Sequence, residues 1–165
     1  MRYEVFMPIT PPTATDQHMG HRVGFVNGRH IVLSYRKKPQ KKVHELYSLL
    51  LKQDIMKRDD GIGSLKMFCG PVKVEIDFQF PHSVNTAKRD RNKWFARTTR
   101  PDLDNMAKGL LDCITDAGLL QDDAQICCLK LRKFNCPASH QGARITITDE
   151  LDCTVDGGKV KEGNN

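Results

Sequence analysis

Hydrophobic and polar residues alternate most regularly between residues 72 and 80. The apolar positions are Val72, Val74, Ile76, Phe78 and Phe80, and those between them are Lys73, Glu75, Asp77 and Gln79. A period of two is typical of a half-buried strand, because successive side chains of a strand point to opposite faces. The pattern therefore predicts a strand over Val72–Phe80 with one face in the core.

Other short apolar runs predict further strands. Val23–Val26 and His30–Tyr35 flank the dipeptide Asn27-Gly28. Both residues of that dipeptide tolerate a positive φ, so this segment is predicted to form a β-hairpin. The remaining predicted strands are Arg2–Met7, Gln125–Phe134 and Ala143–Thr148.

Two segments carry apolar residues at helical spacing. The first runs from Lys41 to about Lys57, and its apolar positions are Val43, Leu46, Tyr47, Leu50 and Met56. The second is Leu103–Ala117, followed by Gly118 as its stop signal. Its apolar positions are Leu103, Met106, Ala107, Leu110, Leu111 and Ile114. Each segment is predicted to be an amphipathic helix with one buried stripe.

Strands with one polar face and helices with one apolar stripe predict an α/β (α+β) fold. The expected architecture is a two-layer sandwich of a mixed sheet against two main helices. No linker divides the chain, so residues 1–151 are expected to form a single domain and residues 152–165 a loose tail. The segment Pro81–Arg100 has no periodicity and is long for a loop, which indicates either function or disorder.

The charge distribution adds a functional clue to this fold. The 165 residues include 26 Lys and Arg against 20 Asp and Glu, giving a net charge of +6 and a pI of about 9.1. This excess favours a polyanionic partner. Basic residues concentrate in Arg29–Lys42 and Lys88–Arg100, whereas acidic residues concentrate between Asp102 and Asp123. A nuclease needs such an arrangement, because it must attract phosphate and hold a divalent metal.

Apolar segments and the N-terminus bear on the location of the protein. No apolar run approaches the roughly 20 residues of a membrane helix, so no membrane partner is expected. The N-terminus also lacks the basic-then-apolar layout of a secretory signal. The sequence therefore favours a cytoplasmic protein.

The acidic centre allows a structural interpretation. Asp102 and Asp104 bracket the start of the second predicted helix, and Lys108 follows one turn later. Asp102 could serve as an N-cap, Asp104–Lys108 as a surface ion pair, and Asp122-Asp123 as a turn before a strand. All three are common roles for such residues.

The same carboxylates also suit metal chemistry. Asp102, Asp104 and Asp123 could form a cage for Mg²⁺, which prefers a few carboxylate oxygens completed by water and phosphate. Two such ions about 4 Å apart would favour phosphodiester hydrolysis, and Lys108 would face the scissile phosphate. Asp123 is preferred to Asp122 because, in a strand, it would share the apolar face of Leu129 and Leu131.

The string RPDLDNMAKGLLDCITDAGLLQDDAQI resembles the signature of the RusA family of Holliday junction resolvases. The matching positions are Asp102, Asp104, Asn105, Lys108, Asp122, Asp123 and Ile126. The match is dense over about 30 residues, and weaker similarity reaches about residue 150. The Thr10–Gly20 loop and Cys127-Cys128 depart from the family pattern, which leaves any junction sequence preference open.

The resemblance implies a homodimeric, Mg²⁺-dependent endonuclease that nicks four-way DNA junctions in recombination and repair. It implies a bacterial or phage-infected cell, Mn²⁺ as a substitute ion and no organic cofactor. By position, Asp102, Asp104 and Asp123 match the essential carboxylates, Lys108 the functional lysine, and Asp122 an accessory acid at the metal.

Basic residues flanking the acidic centre are predicted to contact DNA. Those of the first group are Lys88, Arg89, Arg91, Lys93, Arg97 and Arg100, and a second group contains Lys37 and Lys38. Their phosphate contacts would make affinity sensitive to salt. Trp94 and Phe95 lie within the first group and could either stack on exposed bases or pack onto the core.

The residue pattern is also compatible with three other functions. Pro101-Asp102 imitates the start of a restriction-type nuclease motif, although no Asp/Glu-x-Lys follows on a strand. A non-catalytic DNA-binding module or a single-strand binding protein would also explain the basic residues.

The geometry of one subunit makes it difficult for Asp123 to meet Asp102. The second helix would be about 21 Å long, while Gly118–Asp122 spans at most about 17 Å. Either the helix is shorter or tilted, or acids from two subunits meet across a dimer interface.

Overall fold

The computed structural model describes residues 1–11, 20–35, 38–58 and 67–149. The strands are β1 (Arg2–Met7), β2 (Gly20–Val26), β3 (Arg29–Tyr35), β4 (Val72–Pro81), β5 (Phe95–Ala96), β6 (Ile126–Cys136) and β7 (Gly142–Thr148). The helices are α1 (Lys38–Arg58) and α2 (Leu103–Asp116). None of the helices in the described ranges is long and apolar enough to cross a membrane.

The main sheet has five strands in the order β1-β7-β4-β6-β5. Strands β4 and β6 pair in parallel, and every other neighbouring pair is antiparallel. The sheet is therefore mixed, and both helices contribute buried residues to the same core cluster. The predicted α+β class, with a mixed sheet and two main helices, is confirmed.

The core lies between one face of the sheet and the two helices. All five apolar residues of the alternating β4 pattern are buried, whereas Lys73, Glu75 and Asp77 are only partly buried on the opposite face. Met106, Ala107, Leu110 and Ile114 of α2 face this core, as their spacing predicts. Alternation along the strand and spacing along the helix thus assign the buried faces correctly.

Strands β2 and β3 form a separate two-stranded sheet. Asn27 and Gly28 both have positive φ, at 49° and 76°, which confirms the predicted hairpin turn. Large apolar side chains remain exposed on both strands, and they are Val23, Phe25, Val26, Ile31, Val32 and Leu33. An isolated two-stranded hairpin is only marginally stable in water. The exposed apolar side chains of β2 and β3 are available to pack against another surface.

The structure corrects several predicted boundaries. Helix α1 begins at Lys38 rather than Lys41, and Leu46 and Met56, both assigned to its buried stripe, are exposed. Leu51 is buried there instead, together with Tyr47. The segment 81–100 is not structureless, because it contains β5 and a turn of 3₁₀ helix at Lys88–Asp90. Residues 150–165 lie outside the described residues, so the boundary at residue 151 stays a prediction.

Candidate metal centre and nucleic-acid interface

Asp102 and Asp104 lie at the N-terminus of α2, where the chain enters the helix from the β5 side of the sheet. Asp102 is the N-cap residue, with φ −72° and ψ 141°, and its carbonyl oxygen accepts a hydrogen bond from Met106 N at 3.2 Å. Both aspartates are exposed. Their side chains therefore lie at the positive end of the helix dipole.

Neither aspartate performs the structural role that the sequence allows. The Asp102 side chain makes no capping hydrogen bond, although its residue occupies the N-cap position. Among the described residues, Asp104 and Lys108 form no ion pair, and both are exposed. Carboxylates and an ammonium without protein partners, grouped within two turns of one helix, remain available to an external ligand.

Asp122, in contrast, has a clear structural role. It caps a 3₁₀ turn, Asp123–Gln125, by accepting a hydrogen bond from Ala124 N at 2.7 Å. Gln125 completes a capping box, because its Oε1 accepts from Asp122 N at 3.1 Å. Its Nε2 donates to Phe68 O and Gly70 O at 2.9 and 3.0 Å, which fastens the turn to the chain before β4.

This turn corrects the argument that selects Asp123. Leu129 and Leu131 pair with Val74 and Ile76 and so lie on the helix side of the sheet, as predicted. Strand β6 begins only at Ile126, however, so strand alternation does not extend to Asp123. The side chain of Asp123 is exposed in the turn beside the capped Asp122. Gln125 is a positioning residue that the sequence analysis missed, and its signal was the spacing of a capping box.

An open groove of about 400 Å³ lies at the C-terminal end of α2. Its lining residues are Asp112, Thr115, Asp116, Asp122 and Asp123. His44 of α1 lies beside it, and its Nε2 is 3.2 Å from Asp116 Oδ2. This distance is short enough for an ion pair, but the orientation of the two groups does not meet the criteria of a hydrogen bond. The groove therefore collects acids from the C-terminal part of α2 and from the turn after it, but neither Asp102 nor Asp104.

The two acidic groups lie at opposite ends of β6 within one chain. Lys133, near the end of this strand, contacts Pro101 O at 2.8 Å, directly before Asp102. Asp123 precedes the start of the strand at Ile126. From Ile126 to Lys133 the strand advances by seven residues, which corresponds to a distance on the order of 20 Å. Within the described part of the chain, no group of three His, Cys, Asp or Glu residues is close enough to hold a metal ion.

The donor set at the start of α2 nevertheless fits Mg²⁺. This ion is commonly bound by one or two carboxylates, with water and substrate phosphate completing its octahedron. Asp102 and Asp104 supply two exposed carboxylates without intramolecular partners. Asp123 supplies a third at the other end of the helix, out of reach of the same ion.

The predicted DNA-contacting residues divide into two sets. Lys88 and Arg100 are exposed, and their side chains have no partner among the described residues, whereas the exposed Arg89 pairs with Asp90. The others are engaged within the protein: Arg91 donates to Thr86 O and Val84 O, Lys93 pairs with Asp90, and Arg97 donates to Asn135 and Arg100 O. The Lys93 ammonium also holds the pKa of the Asp90 carboxyl below its usual value. Lys37 lies outside the described residues, as does the side chain of Lys38.

Trp94 and Phe95 are both partly exposed and pack on different neighbours. The Trp94 ring lies edge-on to Phe134 and His140, with centroid distances of 6.1 and 5.7 Å. The Phe95 ring lies 5.8 Å from His82. Each ring therefore packs on at least one neighbour and is still partly exposed, and base stacking remains a prediction.

The chain is similar to known proteins. The chain is 35% identical, over 39% of its length and 46% of the relative, to the crossover junction endodeoxyribonuclease rusA of Lactococcus phage r1t. It is 34% identical, over 39% of its length and 49% of the relative, to the uncharacterized protein YqaN of Bacillus subtilis (strain 168). These matches span about half of the length of each relative. A model of the family described as endodeoxyribonuclease RusA matches residues 11–148, and the chain therefore belongs to the RusA endodeoxyribonuclease family.

Proposed function

We propose that this protein is a Mg²⁺-dependent endonuclease that resolves four-way DNA junctions by paired phosphodiester hydrolysis in recombination and repair. One observation carries the proposal: the N-terminus of α2 presents Asp102 and Asp104 without intramolecular partners, with an unpaired Lys108 on the following turn. Membership of the RusA family supports a nuclease rather than a purely structural use of these carboxylates.

The chain's own residues would share the work as follows. Asp102 and Asp104 would hold the ion at the start of α2. A bound Mg²⁺ would polarise the scissile phosphate and lower the pKa of a bound water. Lys108 places a positive charge one turn further along the helix, where it stabilises charge that develops on the phosphate. Lys88, Arg89 and Arg100 contact the DNA backbone on the sheet side of this site.

We propose further that the active unit is a homodimer in which Asp123 of one subunit completes the site around Asp102 and Asp104 of the other. Within one chain the two acidic groups are about 20 Å apart, at opposite ends of α2 and β6. An antiparallel approach of two α2 helices would bring each start beside the opposite end. Two-fold symmetry would then generate two identical sites, as paired nicking requires.

Substrate selectivity tests the proposed activity directly. The protein is incubated with a synthetic four-way junction, a linear duplex of the same sequence and a single strand, each with and without Mg²⁺. We expect paired nicks in the junction only, and only with the ion. Equal cleavage of linear duplex would indicate a restriction-type nuclease instead. Binding without cleavage in Mg²⁺ or Mn²⁺ would indicate a non-catalytic DNA-binding module.

The exposed hairpin β2–β3 supports the proposed homodimer, because burial of its apolar side chains would stabilise an association. Phe25→Asp is expected to weaken the dimer by at least about 2 kcal/mol, since a central aromatic contact is lost and a charge is buried. Met56→Asp is the matched control, because Met56 is 74% exposed and Phe25 is 67% exposed, but Met56 lies on α1.

Light scattering at micromolar concentration measures this effect. We expect a dimer for the parent and for Met56→Asp, and a monomer for Phe25→Asp. A dimeric Phe25→Asp variant would show that subunits associate through another surface. A monomeric parent would contradict the proposed homodimer itself.

A further inference from the structure

Three consecutive backbone carbonyls lead into the acidic start of α2, and all three accept hydrogen bonds from cationic side chains. The Lys133 ammonium donates to Thr99 O at 2.9 Å and to Pro101 O at 2.8 Å. The Arg97 guanidinium donates to Arg100 O at 3.0 Å. The next carbonyl, that of Asp102, accepts the first hydrogen bond of the helix. The backbone before Asp102 is therefore fixed at every residue from 99 to 102.

These two cations are held by the edge of the sheet. Arg97 N donates to Lys133 O at 2.9 Å, which joins the segment after β5 to β6. The Arg97 guanidinium also donates to Asn135 Oδ1 at 2.8 Å and lies over the Phe80 ring, 4.2 Å from its centroid. Burial lowers the pKa of Arg97, and its Nε has no hydrogen-bond partner. Its orientation is therefore determined by packing as well as by hydrogen bonds.

Neither cation has a carboxylate partner among the residues that the structure describes. Removing a cation from water without a counter-ion is costly, so neighbouring carbonyl dipoles must compensate it. Here the compensating carbonyls belong to the segment that presents Asp102 and Asp104. Contacts of this kind tie the position of the acids to the rigid sheet instead of to a surface loop.

We propose that Lys133 and Arg97 act as a cationic clamp, a pair of positioning residues that hold Asp102 and Asp104 in the geometry needed to bind a divalent ion. The proposal rests on the proposed function of these aspartates. Mg²⁺ tolerates little departure from octahedral geometry, so a backbone displacement at Asp102 would reduce ion affinity even with both carboxylates present. The clamp touches neither the ion nor DNA.

Lys133→Met tests the clamp, because it keeps an unbranched side chain only one atom shorter and removes the ammonium donors. In the protein without metal or DNA, we expect amide hydrogen exchange in the first hydrogen-bonded turn of α2, from Met106 N onward, to become at least about tenfold faster. The Mn²⁺ concentration for half-saturation, measured by electron paramagnetic resonance with Mn²⁺ alone, should rise about tenfold or more. Junction affinity in the absence of metal should change less than about threefold, because no phosphate contact is removed.

Two further variants make the test specific. Lys133→Arg keeps donors for both carbonyls and is expected to restore slow exchange and Mn²⁺ binding. Lys130→Met removes a lysine from the same strand, but Lys130 pairs with Glu75 on the opposite face and is expected to behave as the parent. Unchanged exchange in Lys133→Met would overturn the clamp, and so would faster exchange with unchanged Mn²⁺ binding. A parent that binds no Mn²⁺ and cleaves no junction would refute the proposed function, whereas the exchange measurement would still decide whether the clamp exists.

Discussion

Replacing Asp104 with Asn is expected to abolish junction cleavage while junction binding persists. The substitution keeps the shape of the side chain and removes the charge that would hold the ion. Even the outer partners of a metal ligand are commonly worth 10- to 100-fold in activity, so loss of a ligand should lower the cleavage rate at least about a hundredfold. Junction affinity should stay within about threefold or increase, because a negative charge near the phosphates is lost.

Single-turnover cleavage of a labelled junction and a parallel binding titration without metal measure these two quantities. Glu45→Gln provides the control, since Glu45 is exposed on α1 and its substitution changes the net charge equally. The melting temperature should change little, because a charge at a helix N-terminus contributes about 0.3–1 kcal/mol. An Asp104→Asn variant that cleaves as fast as Glu45→Gln would remove Asp104 from the proposed site.

Mixing two inactive variants is expected to restore cleavage if the site spans two subunits. Asp104→Asn and Asp123→Asn subunits would each form inactive homodimers. In a heterodimer, one site would combine both substitutions, whereas the other would combine the intact Asp104 of one subunit with the intact Asp123 of its partner. With random exchange, half of the dimers would be mixed, so about a quarter of all sites would be intact.

Subunits are exchanged by refolding an equimolar mixture, and nicking is compared with that of each variant alone. We expect single nicks at about a quarter of the parental rate and few paired nicks, because each heterodimer has one working site. Mixing Asp104→Asn with Asp102→Asn is the matched control and should restore nothing, since both substitutions then affect the same group of acids. No recovery from the first mixture would place Asp123 outside a shared site.

Local sequence patterns predicted most of the fold because their causes are local. Alternation over residues 72–80 identified β4 and its buried face, and the Asn27-Gly28 turn and the Gly118 helix stop appear as expected. The predicted boundaries and buried positions were wrong where tertiary contacts compete with the periodicity of the sequence. Met56 has helical spacing but is 74% exposed, and β5 consists of two residues that pair with the end of β6.

The roles of the acidic residues separated only in three dimensions. The sequence allowed Asp102 as a helix cap and Asp122 as part of a turn, yet of these two residues it is Asp122 that accepts a capping hydrogen bond. The basic residues near the acids also differ in the contacts that they make. Arg91 and Arg97 lie in a basic run that predicts DNA contact, but their guanidinium groups bind backbone carbonyls of the protein itself. A run of charged residues in the sequence predicts a polar segment. Which of these charges have partners within the protein depends on the folded structure.

Residue type at fixed spacing along the chain was enough to predict the class of fold and the family, and it identified the candidate carboxylates. The tertiary structure decided where the carboxylates lie relative to one another. In the described structure, β6 lies between the turn that holds Asp123 and the contact of Lys133 with the residue before Asp102, so the two acidic groups are apart within one chain. The contact of Lys133 with the carbonyls before Asp102 joins residues more than thirty positions apart, and no spacing along the chain encodes it.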